Sequence, residues 1–221
     1  MTSERVLSVD QARAFYDRLG AWQDWQGFYE DPPLRRLVEA ADFRAAHAIL
    51  EFGCGTGRFA LEILSGIAPK DCHYLGIDVS PTMVALARAR LRSYSDRAEA
   101  RLSDGAITIG EPDGSFDRYV SNYVLDLLSR DCTGQLLSEA HRVLEPGGLL
   151  CLVSLTHGSS PFQKLVSSVW SRIQAARPAL VGGCRPIELL DVVSLPDWRV
   201  EFREVVSRFG LSSEVVVAAR L

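Results

Sequence analysis

Residues 48–67 read AILEFGCGTGRFALEILSGI, and this stretch decides the fold. Its first five residues are mostly apolar and have the length of a buried strand. Three glycines follow at 53, 55 and 57, a density typical of a tight turn with positive φ angles. Beyond the turn, apolar residues recur at helical spacing, at Phe59, Ala60, Ile63, Leu64 and Ile67. The stretch therefore predicts a strand, a glycine turn and a helix.

Short apolar runs alternate with helical patterns through the rest of the chain up to residue 155. Ser80 and Pro81 supply an N-cap and a first-turn proline for a helix after the second strand. The predicted elements are a strand at 73–78, a strand ending near residues 103–105, a strand at 117–121, a helix at 132–144 terminated by Pro146-Gly147-Gly148, and a strand at 149–155. This alternation indicates βαβ units and a mainly parallel sheet.

The carboxyl-terminal residues have a different pattern. Trp198, Val200 and Phe202 alternate with polar residues, Gly210 breaks the chain, and residues 214–219 read as a last strand. Two such strands are predicted to form an antiparallel hairpin that closes one edge of the sheet.

Composition excludes several classes of protein. The 221 residues carry a formal net charge of −4, so the basic field of a general nucleic-acid binder is missing. The five cysteines are scattered without a C-x-x-C pair, which fits a reducing cytoplasm and predicts no metal site. The amino terminus lacks a signal pattern, and no apolar run is long enough to span a bilayer. We expect one cytoplasmic domain over residues 1–221, without stable membrane insertion; the sequence leaves the oligomeric state open.

Two segments fall outside the βαβ pattern. In residues 1–44, aromatic residues recur at near-helical intervals, at Tyr16, Trp22, Trp25, Phe28 and Tyr29. This pattern predicts either a helix that covers the core or an N-terminal helical lid over the ligand. In residues 156–197, Ser160 can cap a helix whose apolar face carries Phe162, Leu165, Val166, Val169, Trp170 and Ile173. That helix can pack on the sheet edge, cover a substrate pocket or dock on a membrane, and we favour a substrate cap.

The candidate ligand residues lie at the carboxyl ends of the predicted strands, where open α/β sheets bind ligands. Glu51 closes the first strand, and Asp78 closes the second, where a carboxylate can accept hydrogen bonds from both hydroxyls of a ribose. The turn reads G-x-G-x-G with Arg58 next, so it departs from the G-x-G-x-x-G pattern of dinucleotide-binding enzymes. The ligand is therefore expected to contain a ribose but not to be a dinucleotide such as NAD.

Three motifs together resemble the class I S-adenosylmethionine-dependent methyltransferases, most closely their ubiquinone/menaquinone-type small-molecule branch. They are ILEFGCGTGR at 49–58, GIDVSP at 76–81 and LEPGG at 144–148, and the resemblance covers roughly residues 45 to 155. It implies a Rossmann-like fold with a seven-stranded, mostly parallel sheet and an antiparallel carboxyl-terminal strand. It also implies S-adenosylmethionine as cofactor and S-adenosylhomocysteine as product. The motif for methylating DNA amines is absent, because Ser121-Asn122-Tyr123-Val124 stands in its place.

The resemblance also assigns residues to the cofactor. Gly53 and Gly55 would lie against the methionine moiety, Glu51 near its amino group and Asp78 on the ribose. The remaining expected contacts are Asp104 and Gly105 near the adenine, Asn122 in the methyl-donor pocket, and Tyr16, Val79 and Met83. Rival hypotheses are an aminopropyl transferase on the same scaffold and a non-catalytic protein that binds the cofactor.

Methyl transfer needs positioning more than an elaborate catalytic apparatus, so the lack of a catalytic triad is expected. His157 follows the fifth strand at the ligand-binding end and is the candidate general base. Residues 157–187 contain four basic residues and no acidic one. We expect a small, partly hydrophobic, anionic acceptor held by Arg185 and covered by Trp170. An anionic membrane is the competing explanation, and it would depend on all four charges.

Overall fold

Across residues 6–193 and 196–221, which the computed structural model describes, seven strands form one sheet. They are β1 (Ala48–Phe52), β2 (His73–Asp78), β3 (Ala98–Leu102), β4 (Phe116–Asn122), β5 (Leu144–Thr156), β6 (Trp198–Arg208) and β7 (Leu211–Arg220). Their order is β3-β2-β1-β4-β5-β7-β6. Strand β7 runs antiparallel to both of its neighbours, whereas the pairings among the first five strands are all parallel. The predicted sheet and its closing hairpin are confirmed.

Seven α-helices surround the sheet in the described part of the chain. They are α1 (Val9–Leu19), α2 (Gly27–Ala40), α3 (Arg58–Gly66), α4 (Pro81–Arg90), α5 (Arg130–Val143), α6 (Pro161–Ala176) and α7 (Leu189–Val193), with a 3-10 segment at Gly20–Gln26 between α1 and α2. The predicted caps form: Ser80 Oγ accepts from the Met83 amide at 3.1 Å, and Ser160 makes a capping box with Gln163. None of the described helices has the length and hydropathy needed to cross a bilayer.

Both faces of the sheet are buried, because neighbouring residues of each central strand enter different hydrophobic clusters. In β1, Leu50 packs on the side of α5 and α7, whereas Ile49 packs on the side of α2 and α3. The same alternation separates Tyr119 from Val120 in β4. The core therefore lies in two layers, and the loops at the strand ends remain available for a ligand.

The boundary between α5 and β5 differs from the prediction. The helix ends at Val143, and Leu144 already pairs with Phe116 of β4. Pro146-Gly147-Gly148 therefore lies inside the strand, in an irregular stretch where pairing jumps from Leu144 to Leu149. Gly147 takes a φ of +79°, which explains the glycine. The predicted helix end at Leu144 is thus confirmed to within one residue, whereas Pro146-Gly147-Gly148 does not terminate the helix, because Leu144 is already extended.

Helix α6 also differs from expectation, in the direction its apolar face points. Phe162 and Leu165 are 64% and 62% exposed, whereas the buried residues of the helix are Ser167 and Gln174. The Trp170 indole donates to the Cys184 carbonyl at 2.9 Å, which joins the helix to the segment that follows it. Residues 1–5 of the predicted lid and 194–195 of the predicted cap lie outside the described residues.

Candidate functional site

A pocket lies at the carboxyl ends of β1, β2 and β4, where the strand order reverses between β1 and β4. One end is lined by the glycine turn, Asp78 and the loop after β3. The rest of the lining comes from α1, the 3-10 segment and α2, together with residues that follow β4. The pocket therefore runs from the strand ends to the underside of the N-terminal segment.

The glycine turn has the backbone that the sequence predicts. Gly53, Gly55 and Gly57 have φ angles of +81°, +52° and +74°. A Cβ on Gly53 would overlap Val124 Cγ2, and a Cβ on Gly57 would lie 3.0 Å from the Ala87 backbone of α4. Gly55 instead faces the pocket, where a Cβ would lie 3.2 Å from Gln23 Oε1. Two of the three glycines are therefore required by packing, and Gly55 leaves space for a ligand.

Asp78 is positioned by the turn that it supports. Its Oδ2 accepts from the Gly55 amide at 2.9 Å and its Oδ1 from the Ser80 amide at 2.8 Å. Burial raises the pKa of this carboxyl, and the two backbone hydrogen bonds oppose that shift. The carboxylate lines the pocket and retains lone pairs for further donors.

Glu51 is a buried carboxyl beside the same turn. It is 2% exposed, and its Oε2 accepts from the Tyr74 hydroxyl at 2.6 Å. Burial raises its pKa to about 8. Nearby, two buried side-chain carbonyl oxygens of the pocket lining, Asn122 Oδ1 and Gln23 Oε1, have no hydrogen-bond partner. This end of the pocket is thus rich in acceptors that need donors.

The N-terminal segment is fastened over the pocket by ion pairs and hydrogen bonds. Arg90 Nη2 lies 2.6 Å from Asp24 Oδ2, and the Thr56 hydroxyl donates to Asp24 Oδ1 at 2.6 Å. On α1, the Arg13 guanidinium donates to the Val79 carbonyl at 2.9 Å, and Asp17 accepts from the Ser80 hydroxyl at 2.6 Å. The residues of this segment that line the pocket include Tyr16, Gln23, Gln26, Tyr29, Glu30 and Leu34.

Glu30 is a site residue that sequence reasoning missed. It is 8% exposed, lines the pocket, and accepts from Arg58 Nη2 at 3.0 Å. Burial raises its pKa to about 7, and Arg58 opposes the shift. The spacing of the sequence could have indicated its burial, because Glu30, Leu34 and Leu37 form an i, i+4, i+7 row that is buried on α2. A carboxyl in such a row, with a pKa near neutrality, can exchange a proton with a ligand.

Most of the residues predicted from the strand ends line the pocket. They are Tyr16, Glu51, Gly53, Gly55, Asp78, Val79, Gly105 and Asn122. Met83 is buried on the inner face of α4 and is not part of the pocket lining. Asp104 points to solvent and accepts from the Ala106 amide at 2.8 Å, while its neighbours Ser103 and Gly105 line the pocket.

The residues predicted for catalysis and acceptor binding are not brought to the pocket. His157 is exposed, and no residue of α6, Trp170 included, is part of the lining. Arg185 donates its amide to the Asp126 carbonyl at 3.1 Å and Nη2 to the Leu128 carbonyl at 2.6 Å. Cys184 lines the pocket instead, because adjacent residues of an extended segment face opposite sides. Within residues 6–193 and 196–221, no cluster of histidine, cysteine and carboxylate side chains forms a candidate metal site.

Comparisons with known proteins agree on one family. A family model described as a methyltransferase domain matches residues 49–148. A demethylmenaquinone methyltransferase from Symbiobacterium thermophilum is 30% identical over 150 residues, 66% of this chain and 53% of that protein. The aklanonic acid methyltransferase DauC from Streptomyces sp. (strain C5) is 30% identical over 157 residues, 70% of this chain and 67% of that protein. The match thus spans about half of the first relative's length and two thirds of the second's.

Solved structures share the whole architecture. The structure of the cyclase SpnF is similar with a TM-score of 0.72 over 97% of both chains, at 18% identity. At that identity the likeness concerns the fold alone. The sheet order and the two closing strands are therefore those of a known architecture.

Proposed function

Because the chain belongs to the S-adenosylmethionine-dependent methyltransferase family, we propose that it transfers a methyl group from that cofactor to a small, largely apolar acceptor. The observation that carries this proposal is the continuity of the pocket. Acceptor oxygens at the strand ends share one space with aromatic and aliphatic side chains of the N-terminal segment. A nucleoside and an apolar molecule can therefore lie side by side in it.

The polar end of the pocket fits the donors of S-adenosylmethionine. The cofactor offers an ammonium group, two ribose hydroxyls and an adenine amino group. Glu51 and Asp78 supply carboxylate oxygens, and Asn122 Oδ1 and Gln23 Oε1 are buried oxygens without partners. We infer that Glu51 binds the ammonium group and Asp78 the ribose. When bound, the cofactor supplies the electrophilic methyl group of its sulfonium.

The acceptor end of the pocket supports an apolar molecule better than an anionic one. Leu34, Tyr29, Tyr123 and Leu128 line it, and Arg185 donates to main-chain carbonyls instead. The Arg58 guanidinium is already paired with Glu30 and Asp31. A free carboxylate there would meet the Glu30 carboxyl without a cation to offset it. The acceptor is therefore proposed to be uncharged and to carry an ionisable hydroxyl, amine or acidic C–H group.

Within this proposal, the chain's residues position the reactants and move one proton. The N-terminal segment excludes water, and placing two reactants in contact supplies about 7 to 11 kcal/mol. Glu30, held by Arg58, accepts the proton that the acceptor loses. We propose Glu30 for this role in place of His157, because Glu30 lines the pocket and His157 is exposed.

Incubation with methyl-labelled S-adenosylmethionine and a metabolite extract tests the proposal. Mass spectrometry should find the label in a small apolar product, and Glu30→Gln should lower its yield without lowering cofactor affinity. Cofactor that binds but never loses its methyl group would favour the non-catalytic alternative. Label retained in methylthioadenosine would indicate transfer of the aminocarboxypropyl side chain of the cofactor instead of its methyl group; with labelled decarboxylated cofactor, the same product would indicate aminopropyl transfer.

A further inference from the structure

Large apolar side chains are exposed over one continuous part of the surface. Trp22 and Trp25 of the 3-10 segment are 78% and 75% exposed, and Phe209, in the turn between β6 and β7, is 71% exposed. These side chains are called the aromatic surface, and they are Trp22, Trp25, Phe28, Phe209, Phe162 and Leu165. Elements distant in sequence thus present side chains that ordinarily avoid water.

Members of the aromatic surface that belong to different elements lie close to one another. The ring centroids of Trp25 and Phe28 lie 5.6 Å apart, and those of Phe28 and Phe209 lie 5.9 Å apart. At Gly210 an added Cβ would lie 2.8 Å from the Phe162 ring, so α6 meets the β6–β7 turn there. The surface therefore extends without interruption from the 3-10 segment to α6.

Several basic residues lie beside this surface without an acidic neighbour in sequence. No acidic residue occurs in 157–187 or in 205–211, which contain Lys164, Arg172 and Arg208. Among the described residues, these three cations form no ion pair, and Arg208 stacks 5.1 Å from the Phe209 ring centroid. The nearby carboxylates are neutralised, Asp24 by Arg90 and Asp31 by Arg58. The surface is thus apolar and locally cationic in a chain of net negative charge.

We propose that the aromatic surface docks on a lipid bilayer that contains anionic headgroups. Exposed tryptophan and phenylalanine are suited to the boundary between headgroups and acyl chains, and lysine and arginine beside them suit anionic phosphates. The 3-10 segment joins docking to the pocket: Gln23, Asp24 and Gln26 line the pocket, while Trp22 and Trp25 face outwards. The inference does not depend on the proposed methyl transfer.

Co-sedimentation with vesicles tests the docking directly. The full chain should bind phosphatidylcholine vesicles containing phosphatidylglycerol more strongly than pure phosphatidylcholine vesicles, and added salt should weaken the binding. Trp22→Ala combined with Trp25→Ala should lower the partition constant at least about tenfold. Lys164→Gln and Arg208→Gln should each lower it about fivefold.

Matched variants on the far edge of the sheet provide the control. Leu102→Ala, at a 49% exposed position on β3, and Arg92→Gln should leave vesicle binding unchanged. Brominated lipids should quench the fluorescence of Trp22 and Trp25 in the unmodified chain, so this measurement needs no substitution. Absence of binding to anionic vesicles, or equal loss in the control variants, would overturn the proposal. A dimer detected by light scattering and abolished by the tryptophan substitutions would assign the surface to a second copy of the chain instead.

Discussion

Glu51 is expected to release a proton when the cofactor binds. Its pKa is raised to about 8 by burial, so at pH 7 the ligand-free protein holds this carboxyl mostly protonated. An ammonium group beside it lowers the pKa, and the proton must leave. Calorimetric titration with S-adenosylmethionine in two buffers of different ionisation enthalpy should detect release of most of one proton per site.

The Glu51→Gln variant supplies the control for that measurement. It keeps an oxygen for the Tyr74 hydroxyl but cannot titrate, so its proton release should be much smaller and its affinity lower. Equal proton release by both proteins would place the ammonium group elsewhere in the pocket.

Glu30 is expected to control the pH dependence of turnover. A base must be ionised, so kcat/KM should fall as the pH drops through about 7, the value to which burial raises the Glu30 pKa. Glu30→Gln should lower kcat by about 10²- to 10⁴-fold and remove this acidic limb. Glu62→Gln, at an exposed position on α3, should change neither. A wild-type pH profile in the Glu30 variant would exclude this residue as the base.

The sequence predicted those site residues whose position depends only on neighbouring residues in the chain. Gly53 and Gly55 lie in the glycine turn and Asp78 at the end of a strand, and both features can be recognised from a few consecutive residues. The place of these three residues at the pocket was therefore predictable. At 184–185, the side that faces the pocket depends on a bond between the Arg185 amide and the Asp126 carbonyl, nearly sixty residues earlier in the chain. Periodicity carries no information about such a contact. Arg185 was therefore predicted to face the pocket, whereas its neighbour Cys184 lines it.

At the scale of elements, the 3-10 segment is expected to slow the dissociation of the cofactor. Asp24 joins it to Arg90 of α4 and to Thr56 of the glycine turn. Arg90→Ala should raise the cofactor dissociation rate roughly threefold to tenfold, since a partly exposed charged hydrogen bond contributes about 1 kcal/mol. Stopped-flow displacement measures this rate. As a control, Arg101→Ala removes a comparable ion pair between Arg101 of β3 and Glu111. An equal increase in the cofactor dissociation rate in this variant would show that the ion pair of the 3-10 segment has no specific role.

The order of elements was predictable, and their orientation was less so. Strands and helices alternate with distinct periods, which is why the sheet and its closing hairpin follow from the sequence. The residues of the apolar face of α6 were predicted from the sequence, and of the three roles considered for that face a cover over the substrate pocket was favoured. Phe162 and Leu165 are exposed, whereas the helix buries Ser167 and Gln174. A hydrophobic face indicates that something covers it, and the sequence does not say whether that is the same chain.

At the scale of the whole molecule, the ligand-free protein is expected to lose stability between pH 6 and pH 8. Burial raises the pKa of Glu30 and Asp126 to about 7, and the Asp126 side chain is fully buried. A carboxyl whose pKa is higher in the folded state binds more protons there than in the unfolded state, so rising pH favours unfolding. Asp126 alone should contribute about 1 kcal/mol over this interval, or about 2–4 °C in Tm.

Thermal melting of Asp126→Asn at both pH values checks this expectation. The asparagine cannot ionise, so the difference in Tm between pH 6 and pH 8 should shrink by that amount. Asp113→Asn, on an exposed side chain, should leave the difference unchanged. A pH dependence that persists in full in the Asp126 variant would mean that other groups cause it.

Calorimetric titration of S-adenosylmethionine into wild type and Asp78→Ala tests the central claim that the glycine turn and the β2 carboxylate form the cofactor site. The wild type should bind one equivalent. Loss of hydrogen bonds to a charged group costs about 1.5 to 3 kcal/mol, so the variant should bind roughly 10-fold to 100-fold more weakly. Its melting curve must show that the fold survives, because Asp78 also accepts from Gly55 and Ser80. An unchanged Kd in the folded variant, or tighter binding of NAD than of S-adenosylmethionine by the wild type, would contradict the account.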